Sequence, residues 1–206
     1  MFALVESGSI TKYFSGNRGI IIGDNQYPKA IFTLWSKAER EAIGIYEVEM
    51  NTSKRKDERW YINTNATYAF GGGKVTGSYG DATAKAHADT LWTAQDEVDG
   101  KGTEGEVAAR GLKYNLIQNV KKQANNLLLE TDWYVTRKSE KSTAIPSNIT
   151  TWRNGIRSKQ AAMETSITNA NDTPALETLY TYVNTADEGD PVVMERPIGE
   201  FPELGS

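Results

Sequence analysis

The side chains in this chain that could do chemistry are few and stand apart from one another. There is one histidine, His87, in an Ala-rich polar stretch, and there is no cysteine, so neither a thiolate site nor a His-rich metal shell can be assembled. Acyl transfer needs an activated nucleophile, yet the chain has no Gly-x-Ser-x-Gly elbow and no Cys to pair with a base. The run GGGKVTG, from Gly71 to Gly77, lacks the spacing of a phosphate-cradling Gly-x-x-x-x-Gly-Lys-Ser/Thr loop, so Lys74 is expected just past a hairpin turn. Carboxylates are plentiful, but no motif sets one as acid and another as nucleophile for glycoside cleavage. The expectation is a protein that is not an enzyme, with no catalytic residue, no cofactor and no metal.

Recognition is the remaining chemistry, and its residues cluster between Leu127 and Arg157. An aspartate, two tryptophans, a tyrosine and three arginines surround one proline there: Asp132, Trp133, Tyr134, Arg137, Trp152, Arg153 and Arg157, with Pro146 between the two groups. Large aromatics and Arg dominate partner contacts, because they bring area and a polar edge together. The competing reading is that Trp133 and Trp152 fill an internal seam, with the arginines on its polar rim or paired with Asp132, Glu130 and Glu140.

The order of these residues, TDWYVTRKSE and then IPSNITTWRNGIR, resembles the C-terminal signature of the tail-fibre assembly proteins of tailed bacteriophages. In that family a long helix runs through a TDWYVxRxxE patch to xPxxIxxWRxxIR. The N-terminal part is loosely similar to the opening module of the same proteins, through Tyr27-Pro28, Leu34-Trp35 and Gly44-Ile45-Tyr46-Glu47-Val48. The resemblance implies a chaperone-like protein that binds the distal part of a fibre and aids its folding or trimerisation in the host bacterial cytoplasm. The partner would be a tail fibre or another tail protein, with an oligomer forming during assembly. The alternative is a structural or receptor-contacting component of the virion tail that meets a host surface glycan. Two departures from the family favour the alternative. The chain runs on well past the second helix, and KSEKST stands before the turn where relatives place a glycine.

The elements that must carry these residues are legible from periodicity. Thr103 and Glu106 form a capping-box pattern, which predicts a helix from about Glu104. Ala109, Leu112, Leu116, Val120, Ala124, Leu127, Thr131 and Tyr134 then recur at spacings of three and four, so one helix is expected to run unbroken to about Glu140, with Gly111 as its weak interior position. Pro146 forces a turn between Ser139 and Ser147. A second helix, Ser147 to Asn169, carries Ile149, Trp152, Ile156, Met163 and Ile167 on its apolar face, and the two helices should pack as an antiparallel hairpin. Asp172, Thr173 and Pro174 predict a last short helix over Ala175 to Val183.

Upstream, short β-like runs dominate: Phe2 to Val5, Ile10 to Phe14, Gly19 to Ile22, Ile45 to Glu49, and Trp60 to Phe70, which turns at Gly71-Gly72-Gly73 into Lys74 to Tyr79. Ser36 with Glu39 predicts a short capped helix ended by Gly44, with Leu34, Ala38, Ala42 and Ile43 on one face. Of Trp60, Tyr61, Tyr68 and Tyr79 on the predicted strands, some should be exposed, because only one face of a strand can be buried. The expected architecture is α+β: a small antiparallel β module at 1–80, a connection at 81–102, a helical hairpin with a short helix at 103–184, and an extended tail at 185–206.

A formal net charge of −4 argues against a sequence-independent nucleic-acid binder, and Lys54-Arg55-Lys56 with Arg59 is broken by Asp57 and Glu58 into an ordinary solvated loop. Met1 to Val5 lacks the basic flank and apolar run of a signal peptide, and no stretch reaches membrane-spanning length, so no membrane insertion is expected.

Overall fold

A computed structural model describes residues 1–205. The chain divides into two compact units, Met1–Thr83 and Ala84–Ser206. Strands fill the first and helices dominate the second, which makes the protein α+β, as the segregation of patterns along the sequence predicts.

The first unit is built on a five-stranded sheet of β1 (Phe2–Glu6), β2 (Ser9–Phe14), β5 (Ile45–Asn51), β7 (Thr67–Gly71) and β8 (Lys74–Ser78), in the order β2-β1-β5-β8-β7. A second hairpin pairs β3 (Ile20–Ile22) with β4 (Asn25–Tyr27). Period-two alternation sorts the side chains into two cores. Ala3, Val48 and Val75 face one side with Tyr46, Tyr68 and Phe70 against them. Leu4 and Ile45 face the other, where Ile20, Ile31 and Phe32 cover them. The sheet curls enough for its two edge strands to meet through Tyr13 and Tyr68, with ring centroids 5.2 Å apart.

One pairing corrects the antiparallel expectation. β5 and β8 are parallel, because the chain leaves β5 by a long connection, enters the sheet at its edge as β7, and only then turns back. That turn is a two-residue loop in which Gly72 and Gly73 both take positive φ, 58° and 74°, as the glycine run predicts. The run from Trp60 to Phe70 is not one strand. It breaks into β6 (Tyr61–Ile62) and β7, and Trp60 and Tyr61 are buried. None of Trp60, Tyr61, Tyr68 and Tyr79 is exposed, so the expected exposed rings are absent from that set, and Tyr13 is the exposed ring instead.

Helix α1 (Lys37–Ala42) has the predicted capping box, with Ser36 accepting from the Glu39 amide and Glu39 accepting from the Ser36 amide, and Gly44 follows with φ 81°. Leu34 points to solvent rather than joining the helix face, because it precedes the cap. The basic loop is solvated, with Arg55 on Glu58 at 2.8 Å and Arg59 on Asp57 at 2.7 Å. A two-residue strand, β9 (Thr83–Ala84), lies at the division between the units.

The second unit is an antiparallel pair of helices, α3 (Leu112–Leu129) and α5 (Ser147–Asn169), the latter with the predicted bounds. Val120, Ala124, Ile149, Trp152, Ile156, Met163 and Ile167 are buried along it. Lys113 donates to the Thr168 carbonyl, Lys121 meets Glu164, and Arg153 meets Leu128, which fixes the register. Residues 81–102, expected as a bare connection, carry structure. β10 (Thr90–Leu91) pairs with β11 (Val107–Ala109), and α2 (Ala94–Val98) sits between them behind a Thr93–Asp96 capping box.

The predicted helix start at Glu104 is overturned. Thr103 to Glu106 is a turn held by Trp92, whose amide donates to the Glu106 carbonyl and whose carbonyl accepts from Gly105. That pairing uses the backbone groups that a helix would need. Helix α3 begins instead after Gly111, which is its N-cap and not an interior flaw. With no side chain to cap the helix, the carbonyls of Ala86 and His87 accept from Leu112 and Lys113 at 3.0 and 2.9 Å, and Asp89 accepts from the Gly111 amide at 2.8 Å. A Cβ on Gly111 would lie 2.2 Å from the Ala88 carbonyl oxygen, so only glycine fits this crossing.

Beyond α5, α6 (Thr173–Tyr180) is capped by Asp172 within the predicted cap segment, starts two residues before the expected Ala175 and stops before Val183. Residues 183–205 carry no further helix and are held by their own chain. β12 (Val183–Asn184) pairs with β13 (Met194–Glu195), and after it Phe201 and Pro202 meet the helix pair at Trp152.

Candidate functional site

The aromatic and arginine cluster is carried by a helix that the periodicity does not reveal. The expected continuous helix breaks after Leu129 and resumes as α4 (Asp132–Lys141). Thr131 marks the break, with φ −116° and ψ 7°. Such a break frees the last carbonyls of α3. The Leu128 carbonyl is taken up three ways: by the Thr131 amide at 3.1 Å, the Thr131 hydroxyl at 3.1 Å and Arg153 at 2.8 Å.

Arg153 therefore acts as a clamp and is not on a polar rim. It is only 7 % exposed. One guanidinium nitrogen donates to both Leu128 and the Thr131 hydroxyl, and the other to Asp132 at 2.8 Å. Charge-assisted bonds from one planar fork to three acceptors fix the angle at which α4 leaves α3. Asp132 keeps a half-exposed carboxylate in this role.

The two tryptophans separate. Trp152 is 7 % exposed and packs with Ala124 and Ile156, with Leu127, Leu128 and Phe201 against them. Its indole N–H donates to the Pro202 carbonyl at 2.9 Å. Trp133, on α4, is 51 % exposed, so its expected place in the seam is overturned. The break at Thr131 rotates α4 away from the phase that α3 would have continued. Trp133 stacks on Tyr134 with centroids 3.8 Å apart, and the Arg137 guanidinium lies 4.8 Å and 5.1 Å from the two rings. The Nε of Arg137 is buried with no hydrogen-bond partner among the described residues. Arg157 is exposed on α5 and forms no ion pair with a described residue, and neither Glu130 nor Glu140 pairs with an arginine of the cluster.

Thus the structure brings Asp132, Trp152 and Arg153 into the frame of the unit and leaves Trp133, Tyr134 and Arg137 as one stacked surface group. The sequence does not single out the C-terminal segment. Ile198 is buried, its amide donates to the Leu179 carbonyl, and Phe201 and Pro202 cover Trp152. Arg196 meets Glu200, and Tyr182 donates to the same carboxylate at 2.8 Å. The arginine contact holds the Glu200 carboxyl below the ordinary range, against the effect of partial burial. Isoleucine and phenylalanine spaced among prolines were the available signal.

No group of three His, Asp or Glu residues that could hold a metal ion occurs among the described residues. No helix among them is long and apolar enough to cross a membrane. The chain matches no protein-family model, no curated protein and no solved structure.

Proposed function

We propose that this is a binding protein of phage tail assembly, which holds the distal part of a tail fibre through the exposed face of α4 while the fibre folds or trimerises in the host cytoplasm. The observation that carries the reading is the division within one motif. Arg153 and Trp152 secure the helix pair, and that base presents the exposed Trp133, backed by the half-buried Tyr134 and Arg137, as an aromatic and cationic surface. A preformed aromatic–Arg patch on a helix suits helix-to-helix or helix-in-groove contact, since the rings lose little freedom on binding. The similarity of TDWYVTRKSE and IPSNITTWRNGIR to the fibre assembly proteins supplies the class of partner.

A second reading is a permanent component of the virion tail. The segment after α6 favours it, because Phe201 and Pro202 already cover the Trp152 face that a shorter hairpin would leave open to a transient client. Coexpression with the neighbouring fibre gene is expected to raise the yield of soluble trimeric fibre. Trp133→Ala should abolish that gain while leaving the melting temperature in place. No gain with the unaltered protein removes the chaperone reading. Mass spectrometry of purified virions then decides the second reading by presence or absence of the chain.

A further inference from the structure

A cleft of the first unit opens between the second half of β2 and the β3–β4 hairpin, with a volume of about 620 Å³. Its lining includes Lys12, Tyr13, Arg18 and Gln26, and no carboxylate. That composition is unusual for a chain of net charge −4. Several other cations of the unit meet a carboxylate at short range: Lys37 and Lys74 on Glu49, Arg40 on Glu47, Lys54 on Asp81. Lys12 and Arg18 form no ion pair with a described residue. Lys12 instead lies over the Phe14 ring, 5.6 Å from its centroid.

A concave surface with two uncompensated cations draws an anion, and its low-dielectric walls strengthen the attraction. The rest of the lining selects among anions. The partly buried Phe14 offers apolar ring surface on the same side of β2 as Lys12, and Gln26 offers an amide that can both donate and accept. A bare inorganic anion would use only the cations, and a nucleic acid would need a longer basic track than two side chains. An apolar ligand would leave Arg18, Lys12 and Gln26 without partners.

We propose that this cleft binds a carboxylated sugar ring, with Lys12 and Arg18 holding the carboxylate, the apolar side of the sugar against Phe14, and Gln26 on a hydroxyl. The site lies wholly within the first unit and does not depend on any role of α4.

The test is a titration of the full chain, labelled with nitrogen-15, at fixed ionic strength. D-glucuronate, D-galacturonate and N-acetylneuraminate are the acidic probes, and D-glucose and inorganic phosphate are the controls. At least one acidic sugar should shift the Gly16, Arg18 and Gly19 amides saturably, and glucose and phosphate should each bind at least about ten-fold more weakly. The double variant Lys12→Gln with Arg18→Gln alters two exposed side chains. It should lose that binding about ten-fold or more while the amides of β5 and β8 keep their positions. Absence of a response to all three acids overturns the proposal. So does equal binding of glucose or phosphate, or a double variant that binds as well as the parent.

Discussion

Trp133 and Trp152 should respond in opposite ways to truncation. Trp152→Ala removes a buried ring from the seam and the N–H bond to Pro202, and the expected loss is about 3 to 5 kcal/mol. Trp133→Ala removes an exposed ring, and the melting transition should move by less than about 1 kcal/mol equivalent. Thermal or urea unfolding of the two variants checks both; comparable destabilisation would mean that Trp133 is part of the core. Ser142 gives a test of opposite sign. It ends α4 in the left-handed conformation, with φ 54°, where a Cβ is disfavoured by roughly 1 to 2 kcal/mol. Ser142→Gly should therefore raise stability by about 0.5 to 1 kcal/mol net of the added chain entropy, read from the urea midpoint.

At the scale of the helix, the α3–α4 junction depends on Arg153. Arg153→Lys keeps the charge but cannot span the Leu128 carbonyl, the Thr131 hydroxyl and Asp132 together. A loss of about 1 to 3 kcal/mol is expected. Hydrogen exchange should rise first in α4, and uniform exchange across α3 and α4 would count against the clamp. The start of α3 depends on pH. Asp89 is held below the usual carboxylate range, first by the Gly111 amide and then by Arg110. A carboxyl lowered on folding stabilises fully above its unfolded value, and that contribution disappears as pH falls through the folded value. Lowering the pH below the ordinary aspartate range should therefore loosen the first turn of α3, and Asp89→Asn should flatten the dependence. The chemical shift of the Gly111 amide against pH reports it. Asp96, held down to about 2 mainly by the Thr93 hydroxyl and then by Lys101, should release α2 at still lower pH.

Much of this element structure is legible because it follows from local rules. The Ser36–Glu39 box, the Gly72–Gly73 turn and the bounds of α5 all rest on a few neighbouring residues. The errors arise where a distant partner overrides a local pattern. Thr103 and Glu106 have the residues of a capping box, yet Trp92 captures the backbone there. Apolar spacing runs through Thr131 without a gap, and the break is stabilised by an arginine from another helix. Thr131-Asp132 is a cap-like pair and was the one local hint. In the candidate site, the clustering of aromatics and arginines was legible, but which of them face solvent was not, since that depends on the rotation of α4 after the break.

For the molecule as a whole, two units that cohere separately imply separable unfolding. Removal of residues 197–206 uncovers Trp152 and deletes Ile198. It should lower the stability of the second unit by several kcal/mol while the tyrosine environment of the curled sheet is unchanged. Residue-resolved hydrogen exchange distinguishes this from a global effect: accelerated exchange confined to α3 and α5 is expected, and equal acceleration in β5 and β8 would contradict it. The antiparallel helix pair brings mostly near neighbours together and should form quickly. The parallel β5–β8 pair joins distant segments and should set the slower rate.

The bond between Trp152 and Pro202 also has a meaning in time. Fifty positions separate the two residues. At bacterial elongation speeds of roughly 5 to 20 residues per second, about 3 to 10 s pass between synthesis of the ring and synthesis of the carbonyl that covers it. Through that interval the nascent helix pair shows Trp152, Ile156 and Ala124 without Phe201 and Pro202. Slower codons in the stretch between α6 and Pro202 would lengthen the exposure, and faster ones would shorten it. The yield of soluble protein should therefore depend on how the gene is encoded there, even with every amino acid unchanged.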